Sequence, residues 1–105
     1  MRREVWVVKF VVRRLADIEF HETVSYYASR KPGLGKRFEK AVRRVFSEIR
    51  RQPNRFAEVQ DGDRVAPVPG FPYYAIYYQV QPAQVAVIAV FHTSRDPDSW
   101  QRRVI

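Results

Sequence analysis

His92 and Arg95 lie in the run FHTSRDPDSW, residues 91–100, and they are the side chains of this sequence best suited to chemistry. An imidazole titrates near neutral pH and can serve as acid or base. A guanidinium three residues on can clamp a phosphate through paired hydrogen bonds. Arg64 supplies a second guanidinium, and Tyr77 or Tyr78 a phenol that could donate a proton or stack on a base. These are the parts that cleavage of RNA through its own 2′-hydroxyl requires: a base for the hydroxyl, a cation for the phosphorane, and an acid for the leaving oxygen. The same residues also read as structure. His92 then ends a strand with its ring bonded to backbone or to Asp96, Arg95 and Asp96 form an ion pair that holds a turn, and Trp100 packs on a sheet edge.

Composition narrows the other choices. The 105 residues suit one domain, 1–105, large enough to fold around a core without staples. There is no cysteine, so no disulfide and no thiolate metal site, and His21 and His92 are too far apart in sequence for metal-ligand spacing. No cofactor is expected. The basic, then apolar start MRREVWVVKFVV faintly mimics a leader, but Lys9 interrupts it and strand-forming residues dominate. No run approaches the ~20 apolar residues that span a bilayer. The net charge of +8 is lopsided: residues 1–55 hold 15 Lys/Arg against 6 Asp/Glu, and residues 56–105 hold 4 against 5. Such a polarised surface points to an acidic partner, whether nucleic acid, ribosome or protein, unless it merely solubilises surface helices.

The elements that would position these groups follow from periodicity. EVWVVKFVV, residues 4–12, predicts a strand whose near-continuous apolarity suggests burial on both faces. Residues 14–29 predict a helix, with Ala16, Phe20, Val24 and Tyr27 on one face. RKPGLG turns the chain at 30–35. Residues 34–52 give the clearest helix, with Leu34, Phe38, Val42, Val45, Phe46 and Ile49 in one stripe and Lys or Arg at most other positions. Strands are predicted near 64–68, over 71–80 (FPYYAIYYQV) and over 85–92 (VAVIAVFH), with DGD and QPAQ as turns. Asp96 and Pro97 could open one more helical turn. Tyr73, Tyr74, Tyr77 and Tyr78 cannot all face a core, so one sheet face must present phenols. The order β-α-α-β-β-β predicts an α+β fold: a helical hairpin packed on a small, mainly antiparallel sheet.

This order, with Ala16, Glu19 and Tyr26-Tyr27 on the first helix, PGLGKRF opening the second, Pro53 closing it, Arg64, the FPYYAIYY strand and HTSRDPDSW followed by Arg103, resembles the RelE/ParE superfamily of bacterial toxins. The closer likeness is to the ParE-like, plasmid-stabilisation branch. The resemblance covers nearly the whole chain and implies the toxin of a type II toxin–antitoxin system, cytoplasmic, neutralised by a cognate acidic antitoxin in a hetero-oligomer. RelE-like members cleave messenger RNA in the ribosome; ParE-like members inhibit DNA gyrase without hydrolysis. RNA-cleaving relatives usually carry a pattern like Arg-Leu-Val-Tyr where this chain has Phe71-Pro72-Tyr73-Tyr74, and VAPVPG before it lacks their lysines. That favours gyrase inhibition. It leaves His92, Arg95, Arg64 and Tyr78 as candidates should the chain be a nuclease, and a plain, non-toxic interaction domain as a third reading. Target or antitoxin contacts are expected at Arg64, Phe71, Tyr73, Tyr77, Arg95, Trp100 and Arg103. The resemblance also implies that part of the second helix's stripe, Phe46 or Ile49, is partner surface rather than core.

Overall fold

The computed structural model describes residues 9–60 and 62–93. Strand β1 (Lys9–Val12) runs directly into helix α1 (Arg14–Arg30); α2 (Leu34–Arg51) returns antiparallel. Four strands follow: β2 (Glu58–Gln60), β3 (Asp63–Pro67), β4 (Tyr74–Val80) and β5 (Gln84–His92). With β1 they form one five-stranded sheet in the order β1-β5-β4-β3-β2, antiparallel throughout except for the parallel β1–β5 pair. The expected α+β architecture is therefore present, with one more strand than the sequence showed. β2 is short, polar and exposed, so no apolar alternation announces it; its pairing with β3 creates it.

The helix stripes become the core. Ala16 and Phe20 of α1 and Phe38, Val42, Val45 and Ile49 of α2 are buried, together with Ile76 and Tyr78 of β4 and Val85, Val87 and Val90 of β5. β1 departs from the expectation of burial on both faces. It is an edge strand, with Lys9 exposed and Phe10, Val11 and Val12 half-buried; residues 4–8 lie outside the described residues. β5 takes the central, apolar role, and it contains a bulge. Tyr77 pairs with Ala89 but Tyr78 pairs with Val87, so Ile88 is an extra residue. The insertion flips the alternation. Val85 and Val87 before it and Val90 after it all join the helix-side core, while Ala89 and Phe91 meet Tyr77 in a second cluster.

The α1–α2 turn depends on two glycines for different reasons. Gly33 caps α2 with φ +82°, a conformation L side chains rarely adopt. Gly35 lies at a close approach of the two helices. A Cβ built there would sit 2.6 Å from the Val24 carbonyl oxygen and 2.9 Å from Ala28 Cβ. A backbone oxygen cannot rotate aside, so Gly35→Ala must part the helices. We expect a loss of about 2 kcal/mol in urea unfolding, within the usual cost of overpacking. Unchanged stability would show that the helices do not approach this closely.

Candidate target-binding surface at the end of the sheet

The last rungs of the β4–β5 ladder bring His92 to the tyrosines. Tyr74 and His92 are register partners, and the Thr93 N–H donates to the Tyr73 carbonyl at 2.7 Å. Tyr73 stacks on the imidazole at 5.8 Å with 12° between planes, and Tyr74 meets its edge at 5.0 Å. Tyr73 is 65% exposed. The stack thus leaves an aromatic surface open to a partner.

Behind that stack lies a cleft of about 630 Å³ between α1 and the sheet end. Glu19, Glu22, Tyr26 and Tyr27 line it from the helix, Tyr74 and His92 from the sheet. Glu19 also accepts a 3.1 Å hydrogen bond from the Val90 N–H. β1 pairs with β5 only as far as Val87, and the helix carboxylate serves the strand edge beyond it. Burial, reinforced by the neighbouring Tyr74 and Tyr26 phenols, raises the Tyr27 pKa, so that phenol stays a donor. The sequence reading missed the two glutamates as cleft residues, although Glu19, Glu22 and Tyr26 follow the i, i+3, i+7 spacing of one helix stripe.

Chemically, the cleft beside His92 offers carboxylates, phenols and an imidazole. No lysine or arginine lines it among the described residues. A phosphodiester placed there would face negative charge.

Arg64 is elsewhere. It pairs with Tyr78 on the β3 side of β4, whereas His92 pairs with Tyr74 on the β5 side. Four residues of strand separate the two pairs, roughly 13 Å, with roughly 10 Å more across the sheet. The Arg64 guanidinium donates to the carbonyls of Phe56 (2.6 Å) and Asn54 (3.2 Å) and lies 3.7 Å from Glu58. Tyr78 is fully buried, and its hydroxyl donates to the Pro53 carbonyl at 2.6 Å. Burial pushes the Tyr78 pKa up, opposed by Arg64 and a backbone hydrogen bond from Phe56. As a nuclease acid Tyr78 is therefore corrected: it is enclosed and already bonded.

The remaining candidates divide in the same way. Phe71 is not in β4; the chain turns at Gly70 (φ +83°), and the ring packs on Phe38 and Tyr27 at 5.0 and 5.2 Å. The position where RNA-cleaving relatives carry a basic side chain is thus joined to the helix-side core. Tyr77 is half-buried on the other face against Phe91, and burial raises its pKa. Ile49 is fully buried within the main core cluster, which corrects its expected role as partner surface. Phe46 is also in the core, packed on Phe10 and Phe20, with one edge on a cleft of about 380 Å³. That cleft carries Arg43 over Phe20 and Arg50 over Phe10, both at 5.3 Å. Arg95, Trp100 and Arg103, and the turn expected at Asp96, lie outside the described residues. No His/Cys/Asp/Glu group suited to a metal occurs among the described residues, and no helix among them is long and apolar enough to cross a membrane.

The fold has a counterpart among solved structures. No curated protein sequence matches the chain. A solved structure described as the chromosomal ParDE TA system from P. aeruginosa superposes with a TM-score of 0.71 at 11% identity, covering 84% of this chain and 98% of that one. At that identity it shows a shared fold. The family model for the ParE toxin of the type II toxin–antitoxin system parDE matches residues 10–97. The chain therefore belongs to the ParE toxin family of type II toxin–antitoxin systems.

Proposed function

We propose that this toxin arrests growth in the cytoplasm by binding DNA gyrase, without cleaving nucleic acid, and that a cognate acidic antitoxin neutralises it in a hetero-oligomer. The observation that carries the non-hydrolytic reading is the separation of His92 from Arg64. The imidazole borders a cleft of carboxylates and phenols, and the guanidinium is engaged by backbone carbonyls beyond β4. Binding needs no such convergence; it needs an exposed surface, which the Tyr73–His92 stack supplies. The antitoxin has a fitting seat in the Phe10–Phe20–Phe46 cleft. An acidic segment with an apolar anchor would find rings beneath it and Arg43 and Arg50 at its rim.

A supercoiling assay with purified toxin tests the proposal. The toxin should block gyrase and leave messenger RNA intact in a translating extract. Tyr73→Ala should weaken gyrase inhibition about tenfold, as loss of an exposed aromatic anchor does. Undisturbed gyrase at saturating toxin would sink the reading. Cleaved messenger RNA, with cleavage abolished in His92→Ala, would replace it with the ribosome-dependent nuclease. Normal growth on expression without antitoxin would leave only an interaction domain.

A further inference from the structure

α2 carries the strongest charge pattern in the described chain, and neither the sheet-end surface nor the antitoxin cleft accounts for its outer side. At ~100° per residue, Lys36, Arg37, Lys40, Arg44 and Arg51 fall within an arc of about 100°, and all five are exposed. The opposite side buries Phe38, Val42, Val45 and Ile49. Arg43 and Arg50 flank the arc and lie over aromatic rings. The helix's two acidic side chains are already engaged: Glu39 with Arg43 at 3.2 Å and Glu48 with Arg55 at 3.6 Å. Among the described residues, none of the five cations has a carboxylate within ion-pair distance. From Lys36 to Arg51 they extend about 23 Å along one rigid axis.

What this face lacks selects the partner. Among the described residues, the large apolar side chains left exposed are Leu15, Ile18, Tyr26, Val59, Tyr73 and Val80, none of them on α2. An acidic peptide docks through apolar anchors among its charges. A cleft of about 390 Å³ beside Arg37 and Lys40 could hold such an anchor at the first turns of α2, but Arg44 and Arg51 do not line it, so it does not follow the row to its end. A single strand seeks aromatic platforms for its bases, and none is exposed here. A duplex backbone needs only a rigid row of cations, because counterion release supplies the affinity. α2 holds no Asn or Gln to read adenine edges. We propose that the outer face of α2 binds the phosphate backbone of duplex DNA, independently of sequence. The choice of duplex DNA as occupant rests on the gyrase reading, since gyrase holds a DNA duplex.

Fluorescence anisotropy with the full-length toxin and a labelled duplex of mixed sequence tests this without gyrase. Five phosphate contacts predict a log–log salt slope of about −4.5, so affinity should fall about 500-fold between about 50 and about 200 mM salt. Lys36→Ala/Lys40→Ala/Arg44→Ala should reduce the slope by about 2.7. The control Lys9→Ala/Arg13→Ala/Arg14→Ala removes the same charge from exposed positions off α2 and should keep the full slope. Circular dichroism checks that both variants fold. Equal losses in the two variants, equal or tighter binding of double-stranded RNA or poly-glutamate, or no duplex binding at the lower salt would each overturn the inference. Gyrase inhibition without duplex binding removes the inference and keeps the functional reading. Duplex binding with supercoiling untouched does the reverse.

Discussion

Phe38→Ala should lower the stability of this toxin by about 4 kcal/mol, the usual cost of deleting a fully buried phenylalanine ring. Phe38 of α2 is wholly enclosed, and four other rings meet it. Phe71 lies 5.0 Å away at 86°, Tyr74 5.3 Å at 70°, Tyr27 5.4 Å and Phe20 6.3 Å. These come from α1, from β4 and from the turn before it, so a single residue joins the helical hairpin to the sheet. The cavity left by alanine cannot collapse easily, because its walls belong to three elements. In a domain of this length the midpoint of thermal unfolding should drop by about 20 °C. The functional consequence follows from Tyr27 and Tyr74, which line the cleft beside His92. A variant that survives should show a loosened Tyr73–His92 surface and weaker target binding, with Phe38→Leu in between. A loss below about 1 kcal/mol in urea unfolding would show that the aromatic junction is not packed as described.

Much of this junction is legible in the sequence. The 3.6-residue stripe through Phe38, Val42, Val45 and Ile49 specifies α2 and its buried side, and the lysines and arginines between them specify the outer side. The FPYYAIYY alternation separates Tyr74, Ile76 and Tyr78 from Tyr77, and the structure keeps that division. The bulge at Ile88 cannot be read, because VAVIAVFH is apolar at nearly every position and offers no alternation to break. Gly35 reads as part of a turn; its close approach to Val24 and Ala28 depends on where α1 lies. The same applies to the site. Glu19 reads as a carboxylate placed for the helix dipole, yet its partner is the Val90 N–H, 71 residues away. Arg64 reads as a phosphate clamp because a sequence shows a guanidinium's charge and hides the carbonyls it meets. β2 is missed for a related reason: Glu58–Gln60 has no strand pattern of its own and depends on its pairing with β3.

Those carbonyls make Arg64→Ala the sharpest test between binding and hydrolysis. Arg64 and Tyr78 are register partners across β3 and β4, and both reach the segment that leads out of α2. Tyr78 holds the Pro53 carbonyl, and Arg64 holds those of Asn54 and Phe56. The guanidinium side chain is only 20% exposed, so little of it is open to a phosphate. A hydrogen bond from a charged donor contributes about 1.5–3 kcal/mol, and loss of the donor also strands a partly buried acceptor. Arg64→Ala should therefore cost about 3 kcal/mol of stability. Arg64→Lys should recover only part of it, since an ammonium cannot reproduce the planar fork that spans two carbonyls. Combination with Tyr78→Phe should be non-additive, because both side chains hold one segment. Growth arrest per folded molecule, measured at a temperature low enough to keep the variant folded, should stay near the wild-type level. A nuclease requires the opposite pair of results: unchanged stability, and arrest abolished by removal of the clamp. That outcome would return Arg64 to the active site and end the non-hydrolytic assignment.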